Sequence, residues 1–365
     1  MSNESGSNFS ERMCYFFWDM VNVQELSALT PSTSHPTALQ YSSFVLSIVS
    51  CIIGYAGNLI VIFITGFLMK KKKSTIWFLN LALADFTFLL FLPLHAVSIF
   101  EANWSFGPNM CKLYNFLTFV NMYASIFILT ALNIDRAMSI AKPIWHMRFV
   151  SRMISYSVCA LIWVVAAISS VPAVIYSDVF SYGDTSQCIL YPEDLTSIAY
   201  TATDRNASED YRNSERENCD GYNDPEMLPM WIHMTSTATG LVVPLAIIGC
   251  VIPLCVILFS NITIALHVKD SPKTSSSRLY RVVVAAVLAF FCTRTPLLIA
   301  QIIYLVASYT QQLHLMYKVT LYLPLLSSIA ATNAFLNPIV YVLMGKQVRK
   351  EVSQFFSETI PQLTS

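Results

Sequence analysis

Charged residues are scarce in this sequence. Only 12% of its 365 residues are Asp, Glu, Lys or Arg, against 55% hydrophobic, and the mean hydropathy is +0.54. A soluble domain carries roughly a quarter charged residues, so this apolar excess needs lipid to cover it. No Gly-rich phosphate loop, metal-spaced His/Cys cluster or hydrolase elbow is present, which leaves the chain without the commoner signatures of catalysis. Short internal repeats and low-complexity blocks are also missing. Residues 1–40 are polar and lack the apolar core of a secretory signal, so the first long apolar run is expected to direct membrane insertion.

Seven runs are long enough to cross a bilayer, which takes about 20 apolar residues. They cover 41–69, 74–100, 113–134, 153–177, 234–266, 282–308 and 319–345. Each must satisfy its backbone internally and is expected to be a helix. The reading is an all-α membrane protein: a seven-transmembrane helix bundle with a short amphipathic eighth helix. Only Asp85 and Arg294 place a charge inside a run. Pro93, Pro172, Pro244, Pro253, Pro296, Pro324 and Pro338 fall within the runs and are expected to kink them.

The charge that exists is segregated. Fifteen Lys and Arg lie on one side of the seven runs and six on the other. The basic side faces the cytosol by the positive-inside rule, so the N-terminus is expected outside. Seventeen of the 22 acids lie on the predicted outer side, twelve of them between Asp178 and Glu226. Seventeen acids against six bases leave the outer side at −11, and four against fifteen leave the inner side at +11. The inner excess suits anionic lipid heads. The outer excess suits a cationic ligand, or else a solvated loop whose charge serves solubility. Asn-x-Ser sequons at Asn3, Asn8, Asn103 and Asn206 fall on the outer side, where glycan is added. Cys14, Cys111, Cys188 and Cys219 also lie outside, in a setting that favours pairing. The expected division is an extracellular tail at 1–40, the bundle at 41–345 with a long acidic loop at 178–230, and an amphipathic helix and cytosolic tail at 346–365.

The runs carry landmarks in order. These are Gly57-Asn58, Leu81-Ala82-Leu83-Ala84-Asp85, Cys111, Asp135-Arg136-Ala137, Trp163, Pro253, Pro296 and Asn337-Pro338-Ile339-Val340-Tyr341. Together they resemble the rhodopsin-like, or class A, G-protein-coupled receptors. Further runs narrow the likeness: Ser74-Thr75-Ile76-Trp77-Phe78-Leu79-Asn80-Leu81, Trp104-Ser105-Phe106-Gly107, Asn121-Met122-Tyr123-Ala124-Ser125, Lys142-Pro143-Ile144-Trp145 and Gly345-Lys346. They resemble the chemoattractant branch, with its complement anaphylatoxin, formyl-peptide, chemerin and type 2 prostaglandin D receptors. The resemblance implies a receptor, not an enzyme, in the plasma membrane. Its partners would be an extracellular peptide or lipid agonist, an inhibitory-class heterotrimeric G protein, arrestin and membrane lipids, with no nucleic acid.

Residue roles follow from the same resemblance. Cys111 with Cys188 resembles the family disulfide. Cys14 with Cys219 is expected as a second bridge, the alternative being two free thiols. Asp85, Ser125, Asn333 and Asn337 match a site that holds an allosteric sodium ion in related receptors, with Asn58 nearby; the alternative is a purely structural Asp. Arg294 stands where related receptors have Trp. It is expected either to pair directly with Asp85, to anchor a ligand carboxylate, or to alter signalling. Asp135 and Arg136 resemble the family's inner lock. Asn261 replaces a Tyr that would meet the counterpart of Tyr341. His95, Asn115, Phe119, Met122, Tyr123, Arg294, Gln301 and Tyr304 are the candidate pocket linings. After Gly345, Val348, Val352, Phe355 and Phe356 would form the apolar side of the eighth helix, with Lys346, Arg349 and Lys350 facing lipid heads. The leading ligand is a basic peptide. An acidic lipid and a silent scavenger role are the rivals.

Overall fold

The computed structural model of the chain describes residues 9–13, 15, 36–68, 73–182, 185–190, 227–268 and 276–344. Cys14, Cys219, Asn3, Asn8, Asn206 and the expected eighth helix lie outside the described residues. So do residues 191–226 of the acidic loop.

Among the described residues there are seven helical spans: Ala38–Phe67, Thr75–Glu101, Gly107–Ala141, Arg152–Ile175, Trp231–His267, Val283–Tyr309 and Leu313–Ile339. They fall on the seven apolar runs, with altered ends. Span one begins with α1 (Ala38–Phe63) because Thr37 and Gln40 form a capping box. Gln40 N–H donates to Thr37 Oγ1 at 3.3 Å, and Thr37 N–H donates to Gln40 Oε1 at 2.8 Å, satisfying donors that the first turn leaves open. Span two is broken into α2 (Lys73–Leu89) and α3 (Leu92–Glu101). The break lies just before Pro93, whose ring clashes with the carbonyl four residues earlier. Span three is the single helix α4 (Gly107–Ala141). A short helix α5 (Pro143–Phe149) leads into span four, α6 (Arg152–Ile175).

An antiparallel hairpin follows, β1 (Ser177–Tyr182) and β2 (Thr185–Leu190), with Val179 opposite Cys188. Span five joins α7 (Met227–Ala246), a π-helical turn at Ile247–Val251 and α8 (Ile252–Val268). The π turn absorbs the disturbance of Pro253. Gly249 sits in it, and a Cβ there would lie 3.4 Å from the Tyr123 ring. Span six is α9 (Ser276–Tyr309). Span seven is α10 (Leu313–Ala331) and α11 (Asn333–Met344).

Span three is the hub, packing against spans two, four, five and six, while spans one and seven close the ring. The main core draws on Trp77, Leu81, Ala124, Ile128, Leu129, Ile257, Val283 and Phe290. The outer faces of the spans are apolar and exposed, among them Ile52, Leu161, Ile168, Phe259 and Leu266. A surface of this kind and extent belongs in hydrocarbon.

Polar groups inside the bundle are matched across helices. Pro338 has no N–H, so the Ala334 carbonyl loses its helical donor. Asn58 supplies it: Nδ2 donates to Ala334 O at 2.7 Å and to Gly54 O at 2.9 Å. Gly57, beside it, lets the helices touch, since a Cβ there would sit 2.8 Å from Pro338 Cβ. Ser47 Oγ donates to Ser328 Oγ at 2.9 Å, and Trp163 Nε1 donates to Asn80 Oδ1 at 3.0 Å. Replacing Asn58 with Ala strands the Ala334 carbonyl and should cost about 1–3 kcal/mol. Thermal unfolding of the purified protein in detergent checks this; an unchanged melting temperature contradicts the bridging role.

Candidate functional site

The polar chemistry lies on three levels along the bundle. At one end, Cys111 of span three is bonded to Cys188 of the hairpin, with Cα atoms 5.5 Å apart. The bridge ties the hairpin to the bundle and shapes a lid. Further bonds hold it there. Trp104 N–H donates to Ser186 O at 2.6 Å, and Ser186 N–H donates to Asn103 Oδ1 at 2.7 Å. Trp104 is buried, its Nε1 donating to Gly107 O at 2.9 Å, and Gly107 adopts φ +78°, a conformation open to glycine. The Trp104-Ser105-Phe106-Gly107 run is therefore a clasp for the hairpin.

The candidate pocket residues divide at this end. His95 stacks on Tyr114 with ring centroids 5.0 Å apart, and its Nε2 lies 3.1 Å from Ser327 Oγ. Phe119 and Met122 are half-buried against the main core. Gln301 is half-buried, and Tyr304 packs on a second apolar cluster at the ends of spans five, six and seven. Asn115 and Tyr123 depart from the expectation. Asn115 Nδ2 donates to Ser177 Oγ at 3.0 Å and lies 3.4 Å from Cys188 Sγ, so it braces the disulfide. Tyr123 is 3% exposed and packs into the core against Phe127.

At mid-bundle sits Asp85, fully buried. Its Oδ1 accepts from Asn121 Nδ2 at 3.0 Å and its Oδ2 from Asn337 Nδ2 at 2.8 Å. Arg294 Nη2 donates to Asn121 Oδ1 at 3.0 Å. Of the three roles expected for Arg294, the direct ion pair with Asp85 is not formed, and a relay stands in its place. Asn121 is interposed, accepting from the guanidinium and donating to the carboxylate. A primary amide is suited to this because it offers both functions from one planar group. Ser125 and Asn333 are buried nearby. Asn333 Oδ1, Asn337 Oδ1 and Arg294 Nε have no hydrogen-bond partner among the described residues.

At the far end, Asp135 is held from two sides. Arg136 Nη2 donates to Oδ2. His146 of α5 donates from Nε2 to Oδ1 at 2.9 Å. Both Asp135 and His146 are buried. Asn261 is half-buried with Oδ1 unpartnered among the described residues. Tyr341 lies in α11, and its side chain is outside the described set.

Sequence reasoning missed Asn121 and His146. Asn121 had a signal, since it stands four residues before Ser125 on the same helix face. His146 had little, as a lone His in a basic loop.

Residues 57–204 and 195–341 match the family model described as "7 transmembrane receptor (rhodopsin family)". "Chemerin-like receptor 1" of Sus scrofa is 30% identical over 315 residues, 86% of this chain and 80% of that protein. The Homo sapiens protein of the same name is 29% identical over 344 residues, 94% of this chain and 85% of its own. "C3a anaphylatoxin chemotactic receptor" of Oncorhynchus mykiss is 29% identical over 311 residues, 85% of this chain and 75% of that protein.

Two outcomes are expected. Arg294→Met leaves Asp85 without its distant counter-charge and should destabilise by about 3–5 kcal/mol. The double variant with Asp85→Asn should recover about 1–3 kcal/mol of this in an unfolding cycle; additive losses contradict the relay. His146→Ala removes a hydrogen bond to a carboxylate and should lower stability by about 1.5–3 kcal/mol in the same assay, with His146→Gln restoring part of it.

Proposed function

The chain belongs to the rhodopsin family of seven-transmembrane receptors, and we propose that it senses an extracellular basic peptide and activates an inhibitory-class G protein. The family is one of receptors, not enzymes, and its seven apolar spans make this a multi-pass plasma-membrane protein. Relatives named for chemerin and C3a support reading it as a chemoattractant-type receptor.

One observation carries the ligand reading. The hairpin pinned by Cys111–Cys188 runs straight into residues 191–226, which hold ten of the chain's 22 acids. In this reading the charge would lie near the mouth of the bundle and raise the local concentration of a cationic ligand. In this reading the disulfide end, the tail 1–40 and the loop 178–230 face outward, and the fifteen basic residues face the cytosol. The bundle is 41–345, and 346–365 supplies an amphipathic helix on anionic lipid heads. Cys14 and Cys219 would form a second outer bridge, and Asn3, Asn8, Asn103 and Asn206 would carry glycan.

Binding shifts the receptor toward its active state by favouring that state over the resting one. At rest, Asp135 and His146 hold the inner end of span three. Release of Arg136 then exposes the surface that meets the G protein, and arrestin would meet the same face.

The oxygens of Asp85, Ser125, Asn333 and Asn337 suit a hard cation such as sodium. A bound sodium ion would supply positive charge beside Asp85. Here Arg294 already brings a fixed positive charge to that carboxylate through Asn121, so sodium dependence is expected to be weak.

The second reading is a receptor for an acidic lipid, favoured by the guanidinium of Arg294, whose Nε is unpartnered among the described residues. A cyclic-AMP assay against anaphylatoxin, chemerin and formyl peptides and prostaglandin D separates the two. Neutralising Asp204, Glu209, Asp210, Glu215 and Glu217 should raise the half-maximal peptide concentration about 10-fold, less so at high salt. Response only to the lipid, unaffected by these changes, supports the second reading.

A further inference from the structure

Chain termini are ordinarily exposed and poorly anchored. Here residues 9–13 form a helical turn whose Phe9 is 1% and Met13 4% exposed. Phe9 and Met13 stand four apart, on one face of the turn. That face fills a socket of Trp231 and Met234 from span five, Tyr304 and Ala307 from span six, and Leu313 and Met316 from span seven. The Phe9 ring lies 5.5 Å from Trp231, tilted by 56°. Between the two anchors, Arg12 donates to Gln311 in the turn joining spans six and seven. Beside the turn lies an open cleft of about 550 Å³, lined by Arg12, Tyr15, Gln311, His314 and Lys318.

The socket has the make-up of a peptide-recognition surface. Trp and Tyr are the side chains that concentrate binding energy at interfaces. The two methionines give it a flexible, polarisable wall that re-packs around different guests. Its guest here is a segment of the same chain, tethered by the residues between Tyr15 and Ala38. The 9–13 turn therefore covers ends of the three spans at the mouth of the bundle, on the same side as the hairpin.

We infer that this socket is a ligand subsite for a peptide, and that residues 9–13 are its built-in competitor. The peptide it takes offers an aromatic side chain, an apolar side chain one helical turn later, and a cation between them. Phe9-Ser10-Glu11-Arg12-Met13 shows that pattern in place. This deepens the peptide-receptor reading and rests on it only for which side of the membrane the socket faces. A tethered segment acts at an effective concentration of about millimolar. Free peptide must outcompete it, so the tail sets the threshold for response.

The test uses the full-length receptor and a fluorescent synthetic peptide of residues 1–18, read by polarisation in detergent. Phe9→Ala with Met13→Ala in the receptor should raise peptide affinity at least about 10-fold over the unsubstituted receptor. The same two changes in the peptide should abolish binding. Trp231→Ala, introduced into the tail-substituted receptor, should abolish it too. Ala307→Leu, which fills the socket, replaces that control if the Trp231 variant does not fold. Equal affinity with and without the tail substitutions overturns the inference, as does no binding to the tail-substituted receptor. Peptide added to intact cells reports the facing separately. Binding in detergent but not on cells leaves the subsite standing and sinks the outward assignment of this end.

Discussion

The polar groups at mid-bundle are arranged around one buried carboxylate. Asp85 cannot be left unpaired in a medium that solvates charge so poorly. Its two oxygens are taken by amides from spans three and seven, and the first of these amides reaches on to a guanidinium in span six. Four spans therefore converge on one acidic group. Arg294 would be a liability on an isolated helix. Held through Asn121, it balances the charge without the close approach of a direct ion pair. The arrangement leaves some buried oxygens and nitrogens unpartnered among the described residues.

The position of the spans was legible because lipid selects for apolar length. The ends were less so. The apolar run of span three covers 113–134, yet its helix runs from Gly107 to Ala141. An apolar run reports the thickness of hydrocarbon, whereas a helix continues as long as its backbone bonds are met. Thr37 and Gln40 set the start of span one by local capping, a signal that hydrophobicity does not carry. The hairpin at Ser177–Leu190 was not foreseen at all. It is held to the bundle by Trp104, Asn103 and Cys111, which are distant in sequence.

Site residues followed the same rule. The disulfide and the Asp85 and Asp135 centres were visible as landmarks. Cys188, Arg136 and Asn337 were visible as their partners, whereas Asn121 and His146 were not. Asn121 looks like one polar residue in an apolar helix until Arg294 is brought opposite it from another span. Asn115 and Tyr123 were assigned to the pocket by position, but Asn115 spends its amide on the hairpin and the disulfide, and Tyr123 packs against Gly249. Phe9 and Met13 lie in a polar tail and gave no hint of their socket. In each case the chain shows which residues can pair, and only the fold shows which ones meet.

The claim that most needs testing is that the Arg294–Asn121–Asp85 relay holds span six against span three at rest. Asn121→Ala cuts the relay without removing either charge. Spin labels at the Asp135 ends of spans three and six, on a background lacking the exposed Cys255 and Cys292, report the separation by pulsed electron resonance. The account predicts a population shifted to longer distances in the variant without ligand. An unchanged distance distribution would contradict it.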